Sequence, residues 1–399
     1  MSRYSIVFGA AALVLSGCGS VNPNVPKGPV ARALFPDREP LTAERALERY
    51  YNTIEDETLP TAPIGKSLPA EDAVVTRILV GSCNDEEIES PALAQIARED
   101  ADLFLMVGDN VYGDRDGRAY TTNDPDLTEL RASFSDLAAR KEFQAVRAKH
   151  PMMVAWDDHD FGANDAGATF PFRRFAERVH EHFWGLADED VGNWDGTYYE
   201  RSFGPEGQRV QVIMLDTRFF RSDLTGTDAW GEPGKERYIP SDSGFQDMLG
   251  TQQWTWLNNQ LQKPADIRLI VSSIQILPTV HGYEAWATLP KERERLFDLI
   301  KATDAKGVVF VSGDRHTSFL YEDETVLDYS ALELTASSLN VSFAEEADSA
   351  EIDTRQIGKG YALENFGDID INWSERTIGL NLFDRDGQRV RQTSARFED

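Results

Sequence analysis

The sequence predicts an α/β layered fold, on three observations. Short β-branched, apolar runs recur from Val74 onward, helical patterns lie between several of them, and the runs end abruptly in polar, chemically capable residues. Each run has the length of a buried strand and is bounded by turn-formers.

In chain order the runs are VVTRILVGSCN (74–84), ADLFLMVGDN (101–110), PMMVAWDDHD (151–160), RVQVIMLDTR (209–218), IRLIVSSIQ (267–275) and GVVFVSGDRH (307–316). A helical pattern over 126–149 precedes the third run and FRRFAERVHEHFWG (172–185) follows it. Two more helices are expected at TQQWTWLNNQLQK (251–263) and PKERERLFDLIKAT (290–303). TIGLNLFDRDGQRVRQTSARF (377–397) reads as a hairpin around Asp386-Gly387, so the sheet is expected to finish with antiparallel strands. Ligand sites in such folds form in the crevice where strand ends meet. Runs ending in Cys, Asp, Asp, Asp, Ser and Asp-x-His therefore bring reactive side chains to one region.

The opening segment reads as an export signal. Arg3 supplies a positive start, and the apolar run from Tyr4 to Leu15 is too short to span a bilayer. LSGC (15–18) resembles the lipobox of bacterial lipoproteins, which predicts a signal peptide over 1–17 and a lipid anchor on Cys18. Gly19 after the cysteine points to outer-membrane sorting, hence to an exported protein in the periplasm or at the cell surface. Residues 19–40, rich in Pro, Gly and Asn, read as a tether, and LTAERALERYYNTI (41–54) as a short helix. Anchor, tether and helix are thus assigned to 18–70 and the main domain to 71–399. No later stretch is long and apolar enough to cross a membrane, and no internal repeat is found.

With 41% hydrophobic residues the chain can bury a core. Its 68 acidic against 40 basic residues give a formal charge of −28, which argues against a nucleic-acid partner, since phosphate backbones require clustered Lys and Arg. Most of that acidity is a solvated surface; a minority share can hold hard cations.

Cys18 and Cys83 are the two cysteines. Acylation of Cys18 leaves Cys83 a lone thiol in an oxidising compartment, either an inert core residue or a ligand. Asp109, in GDNVYGD (108–114), ends a very apolar strand, where a carboxylate is costly unless paired or bound to a metal, and Tyr112 lies three residues on. WDDHDFGAND (156–165) packs Asp157, Asp158, His159, Asp160, Asn164 and Asp165 together, acids that repel one another without a cation. In SGDRHTS (312–318), Asp314 and His316 alternate, so an extended backbone would point both the same way. Singly, a strand-end Asp is most often a turn-former and a lone His a structural residue. Jointly, hard oxygen donors with one softer Cys/His corner suit two different metals side by side.

These motifs resemble the PhoD-like alkaline phosphatases, a branch of the calcineurin-like metallophosphoesterases. The matching segments are SC (82–83), GDNVYGD, WDDHD with Asn164 seven residues past Asp157, LDTRFFRSD (215–223) and SGDRH (312–316), and weaker agreement extends the likeness over about 74–343. The resemblance implies a four-layer αββα sandwich with mixed sheets and a binuclear Fe3+ plus Ca2+ centre. Carried over by position, Cys83, Asp109, Tyr112 and His316 bind the iron-like metal. Asp109 bridges to a calcium-like metal held by Asp157, Asn164 and Asp314. Cys83 stands where the wider superfamily has an Asp-x-His motif, which favours this branch. Some relatives carry Arg after the bridging Asp, where it contacts phosphate; Asn110 stands there instead, leaving the phosphate-gripping residue open. Many relatives also have an extra N-terminal β-domain, for which the tether is too short.

The expected function is an exported hydrolase of small-molecule or lipid phosphate esters, using a metal-activated hydroxide. Asn110 and His159 would sit near the phosphate or leaving group, and Arg315, with Arg218 and Arg221, would meet the non-bridging oxygens unless engaged in salt bridges. His281 ranks lower as a general acid, and His150, His180 and His182 read as structural. Alternatives are a phosphodiesterase or phospholipase D-type activity on lipid or envelope diesters, and a non-catalytic Ca2+-binding surface lipoprotein. A monomer is expected. EEADSAEID (345–353) reads as a solvated loop rather than a further cation site.

Overall fold

A computed structural model describes residues 42–117, 124–343, 347–349 and 351–397. The expected signal peptide, Cys18 and the 19–40 tether lie outside the described residues, as do Glu345, Glu346 and Ala350 of the acidic segment. The chain divides into two compact units, Met1–Arg49 and Tyr50–Asp399. In the first, the described residues are 42–49, where helix α1 (Ala43–Tyr51) begins. No helix among the described residues is long and apolar enough to cross a membrane.

In the second unit the strands are, in chain order, β1 (Arg77–Gly81), β2 (Leu103–Val107), β3 (Met152–Ala155), β4 (Tyr199–Phe203), β5 (Val210–Met214), β6 (Ile267–Val271) and β7 (Val308–Ser312). They continue as β8 (Phe319–Asp323), β9 (Ala331–Thr335), β10 (Asp348–Ser349), β11 (Gly360–Tyr361), β12 (Asn365–Asn372), β13 (Thr377–Asp384) and β14 (Arg389–Arg396). All six expected runs are strands. One six-stranded sheet has the order β14-β13-β12-β1-β2-β3, the other β4-β5-β6-β7-β9-β8. Both are mixed: β1-β2-β3 and β5-β6-β7-β9 are parallel, and the remaining neighbours antiparallel.

Strand alternation sorts the apolar residues into layers. Ile78, Val80, Leu105 and Val107 of one sheet meet Val210, Val212, Val271 and Val311 of the other in a shared core. The opposite face of the second sheet, with Ile213, Ile270 and Phe310, packs against helices. Trp254 and Leu257 come from the helix Gly250–Leu261, and Leu296 and Ile300 from the helix Pro290–Ala302. Each such fully buried aliphatic side chain contributes about 1.5–3 kcal/mol.

The helices of this unit, in order, are α2 (Pro91–Ile96), α3 (Thr128–Ala139), α4 (Lys141–Lys149), α5 (Asp158–Phe161), α6 (Arg173–Trp184), α7 (Gly250–Leu261) and α8 (Pro290–Ala302). On the outer face of the first sheet, α2 packs on β12 and α4 on α2. The layers are therefore helix, sheet, sheet, helix, the αββα sandwich expected. The helical pattern over 126–149 is two helices, because Arg140 is extended (φ −68°, ψ 127°) and interrupts the ladder between α3 and α4. The C-terminal hairpin forms as expected, β13 pairing β14 antiparallel.

Candidate metal centre

The strand ends that build the site leave the β region at once. Cys83 after β1 (φ 57°), Asp109 after β2 (φ 48°), and Asp314 and His316 after β7 (φ 66° and 51°) all lie in the left-handed region. Side-chain-bearing residues seldom adopt it. Here close packing between strand ends imposes it. A Cβ on Gly108 (φ 89°), before Asp109, would stand 2.5 Å from Asp157 Cβ, and one on Gly313, before Asp314, 2.5 Å from Ser82 Oγ. The turns are tied by Asn84 N–H to Asp109 O at 2.8 Å and His316 N–H to Ser337 Oγ at 2.7 Å. Asp314 and His316 thus reach the site from a sharp turn, so the condition of an extended backbone is not met.

Donor atoms of Cys83, Asp109 and His316 lie within 4.8 Å of one another. Cys83 Sγ is 3.4 Å from Asp109 Oδ2 and 3.0 Å from Ser337 Oγ. His316 Nδ1 faces the Val341 carbonyl at 2.7 Å. A carbonyl only accepts, so Nδ1 carries the proton and Nε2 presents a lone pair, 3.5 Å from Tyr112 Oη. Burial pushes the Cys83 thiol up to about 11 and pulls His316 down to about 4. Burial, then the neighbouring Asp158 charge, raises Asp109 well above the carboxylate range.

Next to this corner is an acidic one. Asp158 belongs to three groups of close donors: with Asp109 and His159, with Asp157 and Asp314, and with Asp165 and Glu284. The turn into α5 sorts the consecutive acids. Asp160 points back, accepting from the N–H groups of Asp157 (2.9 Å) and Asn110 (2.9 Å), and burial raises it to about 8. Asp157 Oδ1 accepts from Arg218 Nε at 2.5 Å and Ser273 Oγ at 2.6 Å. Arg218 also pairs with Glu284 at 2.5 Å, and Arg221 with Glu284 at 2.8 Å. Burial pushes Asp158 up, but the His159 and Arg218 charges outweigh it and hold the carboxyl below its usual range. His159 is pulled down by burial and raised more strongly by Asp158 and Asp114, to about 9; its Nδ1 lies 2.6 Å from Asp114 Oδ1.

The structure brings Cys83, Asp109, Tyr112 and His316 together, and Asp157 and Asp314 beside Asp158. Half-buried Asn164 donates its main-chain N–H to Asp114 at 2.7 Å. Asn110 is fully buried and its Nδ2 donates to Ala155 O at 2.8 Å, so this side chain ties the loop to β3. Arg315 is paired with Glu351 and lies over the Tyr283 ring. Arg218 and Arg221 are fully buried in ion pairs. His281 Nε2 contacts Gln275 Oε1, His150 Nε2 contacts Ile96 O, and His180 is buried among aromatic rings. Sequence reasoning missed Asp158 and Asp165 as site members and did not single out Asp114 or Glu284. The acid run signalled the first two without ranking them; nothing local signals Glu284.

The residues fit a pair of cations. Asp109 Oδ1 and Asp157 Oδ2 are buried with no hydrogen-bond partner, and a buried carboxylate oxygen left unsatisfied is costly, even for Asp157, whose other oxygen is held by Arg218. A thiol, an imidazole and a phenol beside one carboxylate suit a transition metal, and clustered carboxylates a hard cation.

A model of the PhoD-like phosphatase family matches residues 78–378. Alkaline phosphatase D of Bacillus subtilis (strain 168) is 26% identical over 293 residues, covering 65% of this chain and 49% of that protein. The chain thus spans about half the length of this relative. The solved structure of PhoD aligns with a TM-score of 0.62 at 18% identity, over 83% of this chain and 75% of that one, a likeness of fold. With well over half its length matched by the family model, the chain belongs to the PhoD-like phosphatases.

Proposed function

We propose that this protein is an exported, metal-dependent hydrolase of phosphate esters. The observation that carries the reading is the convergence of Cys83, Asp109 and His316 beside Asp157, Asp158 and Asp314 at the strand ends of a PhoD-like fold. Cys83, Asp109, Tyr112 and His316 would hold Fe3+; Asp157, Asp158, Asn164 and Asp314 would hold Ca2+, with Asp109 shared. Such a pair, when bound, supplies an activated water and neutralises phosphoryl charge. The chain's own part is to position and to move protons. Asp114 fixes the His159 ring through Nδ1, so a proton held at Nε2 is available to the leaving-group oxygen. His316 keeps its proton on Nδ1 against Val341 O, which leaves Nε2 free as a ligand.

Phosphate monoesters are the first substrate class. A diester reading is favoured by Phe343, which is 81% exposed and stacks on His316 at 4.1 Å, an apolar wall for a second substituent. Cys18 would anchor the protein as a monomeric lipoprotein at the outer membrane. Hydrolysis of p-nitrophenyl phosphate and its bis-ester, before and after chelation and in Cys83→Ala and Asp109→Ala, tests the activity. If the metal-loaded protein cleaves neither ester, the reading fails; the ratio of the two rates separates monoester from diester preference. Labelled fatty acid incorporated by the wild type and not by Cys18→Ser tests the anchor.

A further inference from the structure

A phosphate monoester carries two negative charges into a site lined by Asp157, Asp158, Asp165, Asp314 and Glu284, so a protein cation facing the site would add to the charge neutralisation that bound metals supply. The arginines flanking the site in sequence are occupied. Arg218 and Arg221, both without exposed surface, hold Asp157 and Glu284, and Arg221 also donates to the carbonyls of Asp165 and Ala166. Arg315, with its side chain 8% exposed, is engaged with Glu351.

Arg237 is different. It sits in a loop folded on itself by antiparallel bridges Gly226 to Tyr238 and Glu232 to Lys235. The loop is docked beside Glu284, the Arg237 and Tyr238 N–H groups donating to Gly282 O at 2.9 and 2.7 Å. The Arg237 side chain is 39% exposed, and its Nη1 donates to Asp165 Oδ2 at 2.9 Å. Tyr238 Oη donates to the same oxygen at 2.7 Å. Asp165 is itself grouped with Asp158 and Glu284. Among the described residues, Arg237 Nε and Nη2 have no hydrogen-bond acceptor. The contact with Asp165 puts the half-exposed guanidinium beside the acidic corner.

We propose that Arg237 is the residue that grips the non-bridging phosphoryl oxygens, its planar fork meeting phosphate while Asp165 holds one arm. This rests on the phosphate-ester reading and answers the question left by Asn110 at the position where some relatives carry Arg. Nothing covalent is required of it: Arg237 binds charge, and its contribution falls on substrate and product affinity.

Inorganic phosphate is the probe, titrated into the metal-loaded full chain alongside p-nitrophenyl phosphate kinetics. Arg237→Ala is expected to weaken phosphate binding and raise KM by about 10- to 100-fold, the worth of one or two charge-assisted hydrogen bonds, with a smaller change in kcat. Arg237→Lys is expected to recover part of the loss. Tyr238→Phe removes the other bond to Asp165 and is expected to keep phosphate affinity near the wild type. Unchanged phosphate affinity in Arg237→Ala overturns the inference while leaving hydrolysis intact. Equal losses of metal and phosphate in Arg237→Ala and Tyr238→Phe, without rescue by lysine, also overturn it, since Arg237 would then only hold Asp165. A wild type that binds phosphate through Arg237 yet cleaves neither ester sinks the hydrolase reading and upholds this one. A metal-loaded wild type that does not bind phosphate overturns both.

Discussion

At the Cys83 corner a thiol, a phenol and an imidazole surround a single carboxylate, whereas at the Asp158 corner Asp157, Asp158, Asp165, Asp314 and Glu284 crowd together with Arg218, Arg221 and Arg237. Both corners are taken out of water, but the charge is handled differently. The acidic corner carries cations of its own, so part of its carboxylate charge is balanced by the fold. Burial works against ionisation at both: it raises the Cys83 thiol to about 11 and Asp109 well above its usual range, and at the acidic corner it lifts Asp157 to about 6, Glu284 to about 7 and Asp314 well above the carboxylate range, with the Arg218 charge opposing it there. A bound cation at the first corner must ionise groups that have no ion pair among the described residues, whereas at the second it joins carboxylates already paired with Arg218 and Arg221.

The largest expected effect tests the acidic corner. Arg218→Met leaves Asp157 and Glu284 buried beside fewer cations, and should cost about 3–5 kcal/mol in urea unfolding, as for removal of one partner of a buried pair. Added Ca2+ should recover part of it; a cost below about 1 kcal/mol would erase the contrast. Asp109→Asn touches both corners, and should lower hydrolysis by about 10²- to 10³-fold with loss of both metals by elemental analysis. Cys83→Ala should separate them: the transition metal is lost, calcium is retained, and the hydrolysis that depends on that metal is lost with it. Simultaneous loss of both metals would instead make the site one indivisible unit. Ser337→Ala has the smallest effect. Ser337 Oγ accepts the His316 N–H and touches Cys83 Sγ, so its removal should weaken transition-metal binding by about tenfold, with calcium unaffected.

The parallel strands other than β9 were legible because burial on both faces makes each a continuous apolar run. The missed strands carry polar residues for identifiable reasons. β4 and β12 are antiparallel, with half-buried Glu200 and Arg201 and exposed Asp370 among their residues. β9 hides Glu333 mid-strand, fully buried and satisfied by Ile276 N–H at 3.0 Å and Ser312 Oγ at 2.6 Å. The site was legible as a set of strand ends but not as a ranking within them. In WDDHD, the turn into α5 decides which acid faces inward, sending Asp160 back to the loop and leaving Asp158 among the donors. Glu284 and Arg237 come from loops whose place depends on tertiary docking, so neither has a local signature.

The left-handed residues at the strand ends bear on what selection can do with this protein. Backbone held in that region costs of order 1–3 kcal/mol per residue. Glycine relieves it without steric cost, and asparagine tolerates it better than most residues. Cys83, Asp109, Asp314 and His316 all sit there. A library enriched for thermal resistance alone, without an activity screen, should accumulate glycine or asparagine at these four positions ahead of core positions, each gain in melting temperature removing a candidate ligand. Along that route the catalytic apparatus decays while the scaffold improves, and only a requirement for turnover holds the chain where it is.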